Sequence, residues 1–194
     1  SMFLFGFMMT VSFIPLYIIN LTDTDGLWGL STEVLQSLPL SVEMLCALGS
    51  VLFSGYWLDR RGWHEPFIAG ILICSIGTLM SSWSTTPLIY IISRGLAGVG
   101  FGFTWMSAQG YILSDNDAKG RTSALSSLIA GIFIGFICGN AVGAMLADRI
   151  GFAAVFQLST IFLVLPLVFM IIFMPDGIVG TIKDKIGPSL LQKE

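Results

Sequence analysis

Six apolar runs of roughly the 20 residues needed to cross a bilayer constrain this chain more than any other feature. They cover residues 1–21, 32–58, 66–83, 87–113, 122–147 and 152–174, and short charged islands separate them. In hydrocarbon every backbone N–H and C=O must be satisfied within the protein, which leaves helices or closed barrels. Barrel strands alternate apolar and polar residues over about 10 positions, and these runs do not alternate. Charged residues make up 11% of the chain, against about 25% in a soluble domain. The expectation is an all-α membrane protein with six transmembrane helices.

The basic residues orient it. Arg60 and Arg61 lie between the second and third runs, Lys119 and Arg121 between the fourth and fifth, and Lys183, Lys185 and Lys193 after the sixth. All of these fall on one side, the expected cytoplasmic side, and both termini go with them. Arg149 falls opposite, and Arg94 lies inside a run. The outer connections, 22–26 and 82–87, are acidic or neutral. The setting this implies is a cell inner or plasma membrane, with lipid as the surrounding partner.

The first run has no basic segment ahead of it and no small-residue cleavage site, so it does not read as a signal peptide. It starts abruptly in apolar sequence, which implies a chain trimmed from something longer. Cys46, Cys74 and Cys138 all sit within runs, odd in number and without metal-ligand spacing. They read as small packing residues. The tail, 175–194, is mixed in character, with Ile178, Val179, Ile182 and Ile186 at helical spacing. It fits a cytoplasmic amphipathic surface helix or a linker.

Two islands spell nearly the same thing: Asp59-Arg60-Arg61-Gly62-Trp63 and Asp148-Arg149-Ile150-Gly151-Phe152, each followed by a Phe four residues after its aromatic, Phe67 and Phe156. Each sits between the second and third members of a triplet of runs. An odd number of crossings separates them, so the copies belong on opposite faces. That is the pattern of two inverted three-helix repeats.

The first copy, with Gly55 before it, resembles the signature between helices two and three of the major facilitator superfamily. Gly55, Asp59, Arg60 and Gly62 match, while Trp63, His64 and Glu65 stand where that family carries a basic pair. The run Arg94-Gly95-Leu96-Ala97-Gly98-Val99-Gly100-Phe101-Gly102 is similar to the family's fourth helix. Gly131, Gly135, Gly139 and Gly143, spaced by four, resemble its fifth, without the usual Pro. Glycines at this spacing also let a second helix pack closely, whatever else they do. The resemblance implies one six-helix half of a transporter whose second half comes from the same gene product or another copy. The abrupt start and the loose signature favour the second half. It also implies that Asp59, Arg60, Asp148, Arg149 and Gly151 belong to a conformational motif, and that helices one and four line the substrate cavity while two and five gate it.

Two charged residues stand out on physical grounds. A charge at mid-span costs about 2.5–3.5 kcal/mol on insertion scales, so Arg94 should face the bundle interior or snorkel to the nearer face, about 10 Å away at 1.5 Å per residue. Glu43 lies midway down the second run, on a small polar stripe with Gln36, Leu40, Ala47, Ser50 and Ser54. Three arrangements are open to it: a titrating proton site, a fixed ion pair with Arg94, or a protonated hydrogen-bond donor. Tyr17, Trp105, Gln109 and Asn140 are further polar or aromatic candidates for substrate binding or coupling.

There is no Walker-type phosphate loop, and His64 is the sole histidine, so ATP hydrolysis, a zinc site of usual composition and a Ser-His-Asp triad are not expected. No catalytic residue, cofactor, metal or nucleic-acid partner is expected. The function expected is proton-coupled secondary transport of a small organic molecule by alternating access. A non-transporting membrane sensor and a lipid transporter are the alternatives.

Overall fold

The computed structural model describes residues 2–21, 31–113 and 118–173. All regular structure in them is helical. The helices are α1 (Met2–Val11), α2 (Ile14–Asn20), α3 (Thr32–Arg61), α4 (His64–Ser82), α5 (Pro87–Leu113), α6 (Ala118–Ile150) and α7 (Phe152–Phe173). Five of them, α3 to α7, contain stretches long and apolar enough to cross a bilayer. The first apolar run is divided. Pro15 stands in the first turn of α2, and α1 and α2 meet at a bend of 43°, together passing as one broken span. A Pro lacks the N–H that would continue the ladder and clashes with the preceding turn.

Charge and backbone geometry set the long helices' ends. Glu33 lies in the first turn of α3 and Arg60 and Arg61 in its last, each suited to the helix dipole there. Two turns use the same device. Gly62 (φ +79°) and Gly151 (φ +82°) both adopt the left-handed conformation that a side chain resists. Gly62 N–H donates to the Leu58 carbonyl at 2.9 Å, and Gly151 N–H to the Ala147 carbonyl at 3.1 Å, closing α3 and α6.

These matched turns lie at opposite ends of the bundle. Beside Gly62, the Trp63 ring packs edge-on against Tyr111 near the end of α5, with centroids 4.6 Å apart. Beside Gly151, Ser82 at the end of α4 donates to the Ala153 carbonyl at 3.2 Å and accepts from Gln157 at 3.2 Å.

Helix α5 packs on both α3 and α4, and α1 packs on both α6 and α7; α4 and α7 also meet. Exchanging α3, α4 and α5 for α6, α7 and α1 maps this set of contacts onto itself. Glycines allow the closest approaches. A Cβ at Gly98 of α5 would collide with the Glu43 backbone carbonyl of α3, and one at Gly143 of α6 with the Met9 carbonyl of α1.

The core joins Met9, Phe13, Ile14, Ile18, Tyr90 and Phe156, with a second cluster around Phe7, Cys74, Ala97 and Leu163. The outer faces are apolar too. Leu45, Leu48 and Leu52 of α3 and Phe133, Ile134 and Ile137 of α6 are all exposed. A soluble monomer rarely exposes so much contiguous apolar surface. With spans of this length it marks an integral, multi-pass membrane protein. The tail over 175–194, the connection over 22–30 and the side chains of Lys119 and Arg121 lie outside the described residues.

Candidate functional site

The most unusual feature of the interior is a buried ion pair between α3 and α5. Arg94 and Glu43 are both fully buried. Arg94 Nη2 donates to Glu43 Oε1, and Nε donates to Oε2 at 3.3 Å, so the guanidinium engages both carboxylate oxygens. The packing that brings them together is local and steric. Gly98 lies one turn beyond Arg94 and abuts the Glu43 backbone, while Gly95 abuts Val42 and Cys46. Of the arrangements open to Glu43 from the sequence, the structure holds the ion pair, and Arg94 does not snorkel.

The rest of the polar stripe on α3 serves the same interface. Ala47, Ser50 and Ser54 are buried, and a Cβ at Gly102 of α5 would meet Ser50 and Ala47. The stripe is therefore a tight helix–helix seam here rather than a cavity wall. Gln36 sits half-buried nearer the start of α3.

Two neighbours of Arg94 were not visible as candidates in the sequence. Phe7 of α1 is buried, its ring centroid 6.0 Å from the guanidinium carbon. Tyr90 lies one turn before Arg94 on α5 and is also buried. The i, i+4 spacing was a usable signal for Tyr90. For Phe7, one of 15 phenylalanines in an apolar chain, there was none. From Phe7 an aromatic series continues, with Phe7 and Phe101 centroids 4.5 Å apart, and Phe101 and Trp105 5.8 Å apart.

The other candidates are dispersed. Trp105 lines a cavity of about 390 Å³ with Phe3, Phe67, Thr104 and Pro166. Gln109, one turn further, is half-buried. Tyr17 turns into the bundle, edge-on to Tyr90 at 4.9 Å, and its hydroxyl donates to the Ser84 carbonyl at 3.4 Å. Asn140 donates to the Phe136 carbonyl of its own helix at 2.8 Å. Neither residue touches the ion pair through a direct hydrogen bond among the described residues.

At the Gly62 end, Asp59, Arg60 and Arg61 are exposed and Gly55 is half-buried. The Arg60 guanidinium lies 4.4 Å from the Tyr56 ring centroid, and Arg61 pairs with Glu65 at 3.2 Å. Glu65, standing where a basic residue was expected from the resemblance, thus answers Arg61. At the other end Asp148 and Arg149 are exposed beside Gly151.

No cluster of metal-ligating residues occurs among the described residues. A family model described as Major Facilitator Superfamily matches residues 1–186.

The chain belongs to that superfamily.

Its curated relatives include Multidrug resistance protein 2 of Bacillus subtilis, 34% identical over 49% of this chain and 24% of that protein. The human Chromaffin granule amine transporter is 30% identical over 54% of this chain and 20% of that protein. The Multi-drug resistance efflux pump PmrA of Streptococcus pneumoniae is 29% identical over 93% of this chain and 44% of that protein. The superfamily chain thus spans less than half the length of these relatives.

Proposed function

We propose that this chain is one six-helix half of a proton-coupled secondary transporter for a small organic molecule, working by alternating access. The observation that carries the reading is the buried Arg94–Glu43 pair joining α3 to α5 in a superfamily member. A charge pair in the membrane interior is costly, and such residues mark coupling and substrate routes. The relatives' names, two multidrug proteins and an amine transporter, favour transport over sensing or lipid handling.

In this reading the chain is built of two inverted three-helix repeats. The self-mapping set of helix contacts and the like-built glycine turns at opposite ends support it. The Gly62 end faces the cytoplasm of the inner or plasma membrane, by the charge rule. A second six-helix half supplies the other wall of the substrate cavity. Gly55, Asp59, Arg60 and Gly62, with Asp148, Arg149 and Gly151, form the conformational motif at the two ends.

Glu43 carries the proton. Ionised, it holds Arg94 and locks α3 to α5; protonated, it releases half of that lock. Trp105, Gln109, Gln36, Tyr17 and Asn140 are the supporting candidates for the substrate route. Glu43→Gln in the full-length protein keeps the shape and removes the titration. It leaves Arg94 without its carboxylate, so transport is normalised to the amount of variant in the membrane; it should lose the pH dependence of net transport, measured as uptake or efflux against an imposed proton gradient. Undiminished proton-driven transport in that variant removes Glu43 from the mechanism.

A further inference from the structure

Four aromatic rings on α1 and α5 stand in one nearly parallel series. Phe3 and Phe7 of α1 have centroids 6.3 Å apart, with planes 15° apart. Phe101 of α5 lies 6.2 Å from Phe3 and 4.5 Å from Phe7, its plane within 24° of both. Trp105, one turn on, lies 5.8 Å from Phe101 at 21°. The core toward the Gly151 end is built differently: Phe156 meets Phe13 at 71° and Tyr17 at 66°. Phe7 is buried, but Phe3, Phe101 and Trp105 are only half-buried.

The series ends at open space. Trp105 lines the cavity of about 390 Å³, together with Phe3 and Thr104. A cavity of about 590 Å³ adjoins it, sharing Phe67, Ala108, Leu128, Pro166 and Phe169. Sites for small molecules commonly measure about 300–1,000 Å³. Among the described residues no acidic or basic side chain lines either cavity. The charge beside the series is already committed: Arg94, 6.0 Å from the Phe7 ring, engages both oxygens of Glu43. The Thr104 hydroxyl is committed too, donating to the Gly100 carbonyl at 2.9 Å. A charged guest would give up water here and find no partner, which is costly. A flat uncharged ring gives up little and gains a stacking partner in Trp105.

We propose that the substrate is a flat, uncharged aromatic molecule that lies against the Trp105 ring as the next member of the series. This deepens the proposed function and rests on it, naming the substrate class of its cavity. Stacking fixes the plane of the guest and leaves its substituents free. Recognition then depends on flatness and on lack of charge, and not on one functional group. A saturated ring system of the same size is puckered and cannot stack. Arg94 serves the lock between α3 and α5 and does not read an anionic group on the substrate.

The probe is quinoline, which is flat, two-ringed and uncharged at neutral pH. Its binding to the full-length protein in lipid nanodiscs is measured by saturation-transfer NMR, with protein-free nanodiscs as the baseline. Decalin (saturated), N-methylquinolinium (cationic) and 2-naphthoate (anionic) serve as competitors of like size. Quinoline should bind, and none of the three should displace it at equal concentration. Trp105→Leu should weaken binding at least threefold, and Trp105→Phe less than twofold. Displacement by decalin overturns the stacking, and displacement by either ion overturns the preference for an uncharged guest. Absent binding, or unchanged affinity in Trp105→Leu, overturns the site. Quinoline that binds at Trp105 but is not carried across the membrane by the parent protein overturns its place as substrate. Should Trp105→Leu fail to reach the membrane, Ala108→Leu, which fills the cavity, decides: lost binding supports the site and retained binding overturns it. Binding needs no proton gradient, so failure here is distinct from retained coupling in Glu43→Gln, which overturns the proton role instead.

Discussion

Arg94 keeps its charge inside the bundle because Glu43 answers it from the neighbouring helix with both carboxylate oxygens. Removing one partner of such a pair strands the other without water, at a cost of about 3–5 kcal/mol. Arg94→Met should therefore lower the thermal unfolding midpoint sharply, while Arg94→Met combined with Glu43→Gln should recover most of it. Thermal unfolding in detergent checks both, and a double variant no more stable than the single would show that packing, not charge, holds this seam. Both residues were legible in the sequence, since a charge in an apolar run is expensive wherever it points. Phe7 was not, because an aromatic residue in such a run gives no sign of the face it occupies, and Tyr90 was legible only through its i, i+4 spacing from Arg94.

Between elements, the glycines set how closely the helices approach. Gly98 lets α5 lie against the α3 backbone at Glu43, whereas a Cβ added at Gly49 of α3 would meet nothing within 4 Å. Gly98→Ala should force the two helices apart and cost about 1–3 kcal/mol, as overpacking does. Gly49→Ala should be neutral or slightly stabilising, because Ala favours the helix. Thermal unfolding of the two variants side by side makes the comparison, and equal responses would refute the close-contact account. The spacing of the glycines on α5 and α6 was plain in the sequence. Which helix lies in each groove was not, since a repeat of four marks a face and not its partner. The break between α1 and α2 was likewise unforeseen, although Pro15 was in view; a Pro within an apolar run is tolerated in α3 at Pro39 and in α7 at Pro166.

For the whole molecule, the end carrying Gly62 and the end carrying Trp83 should face opposite sides of the membrane. In the full-length protein with Cys46, Cys74 and Cys138 replaced by alanine, Arg61→Cys should react with an impermeant thiol reagent only from the cytoplasmic side. Trp83→Cys should react only from outside. Both positions are well exposed, so access is not limiting. Reaction of both from one side would dismantle the topology and the inverted-repeat reading with it. The outward apolar faces of α3 and α6 follow from the same premise: where lipid is the solvent, Leu and Phe on the surface cost nothing.

What the sequence by itself determined is the solvent and the helical state of the chain. Run length, backbone hydrogen bonding and the cost of a charge are properties of consecutive residues, so they can be read along the chain. It also marked Arg94 and Glu43 as residues that must find an answer to their charge. Only the tertiary structure decided that they answer each other across 51 positions of sequence, with the Phe7 ring beside the guanidinium. That outcome depends on how closely two helices approach, and on which faces they turn together, which no stretch of consecutive residues specifies.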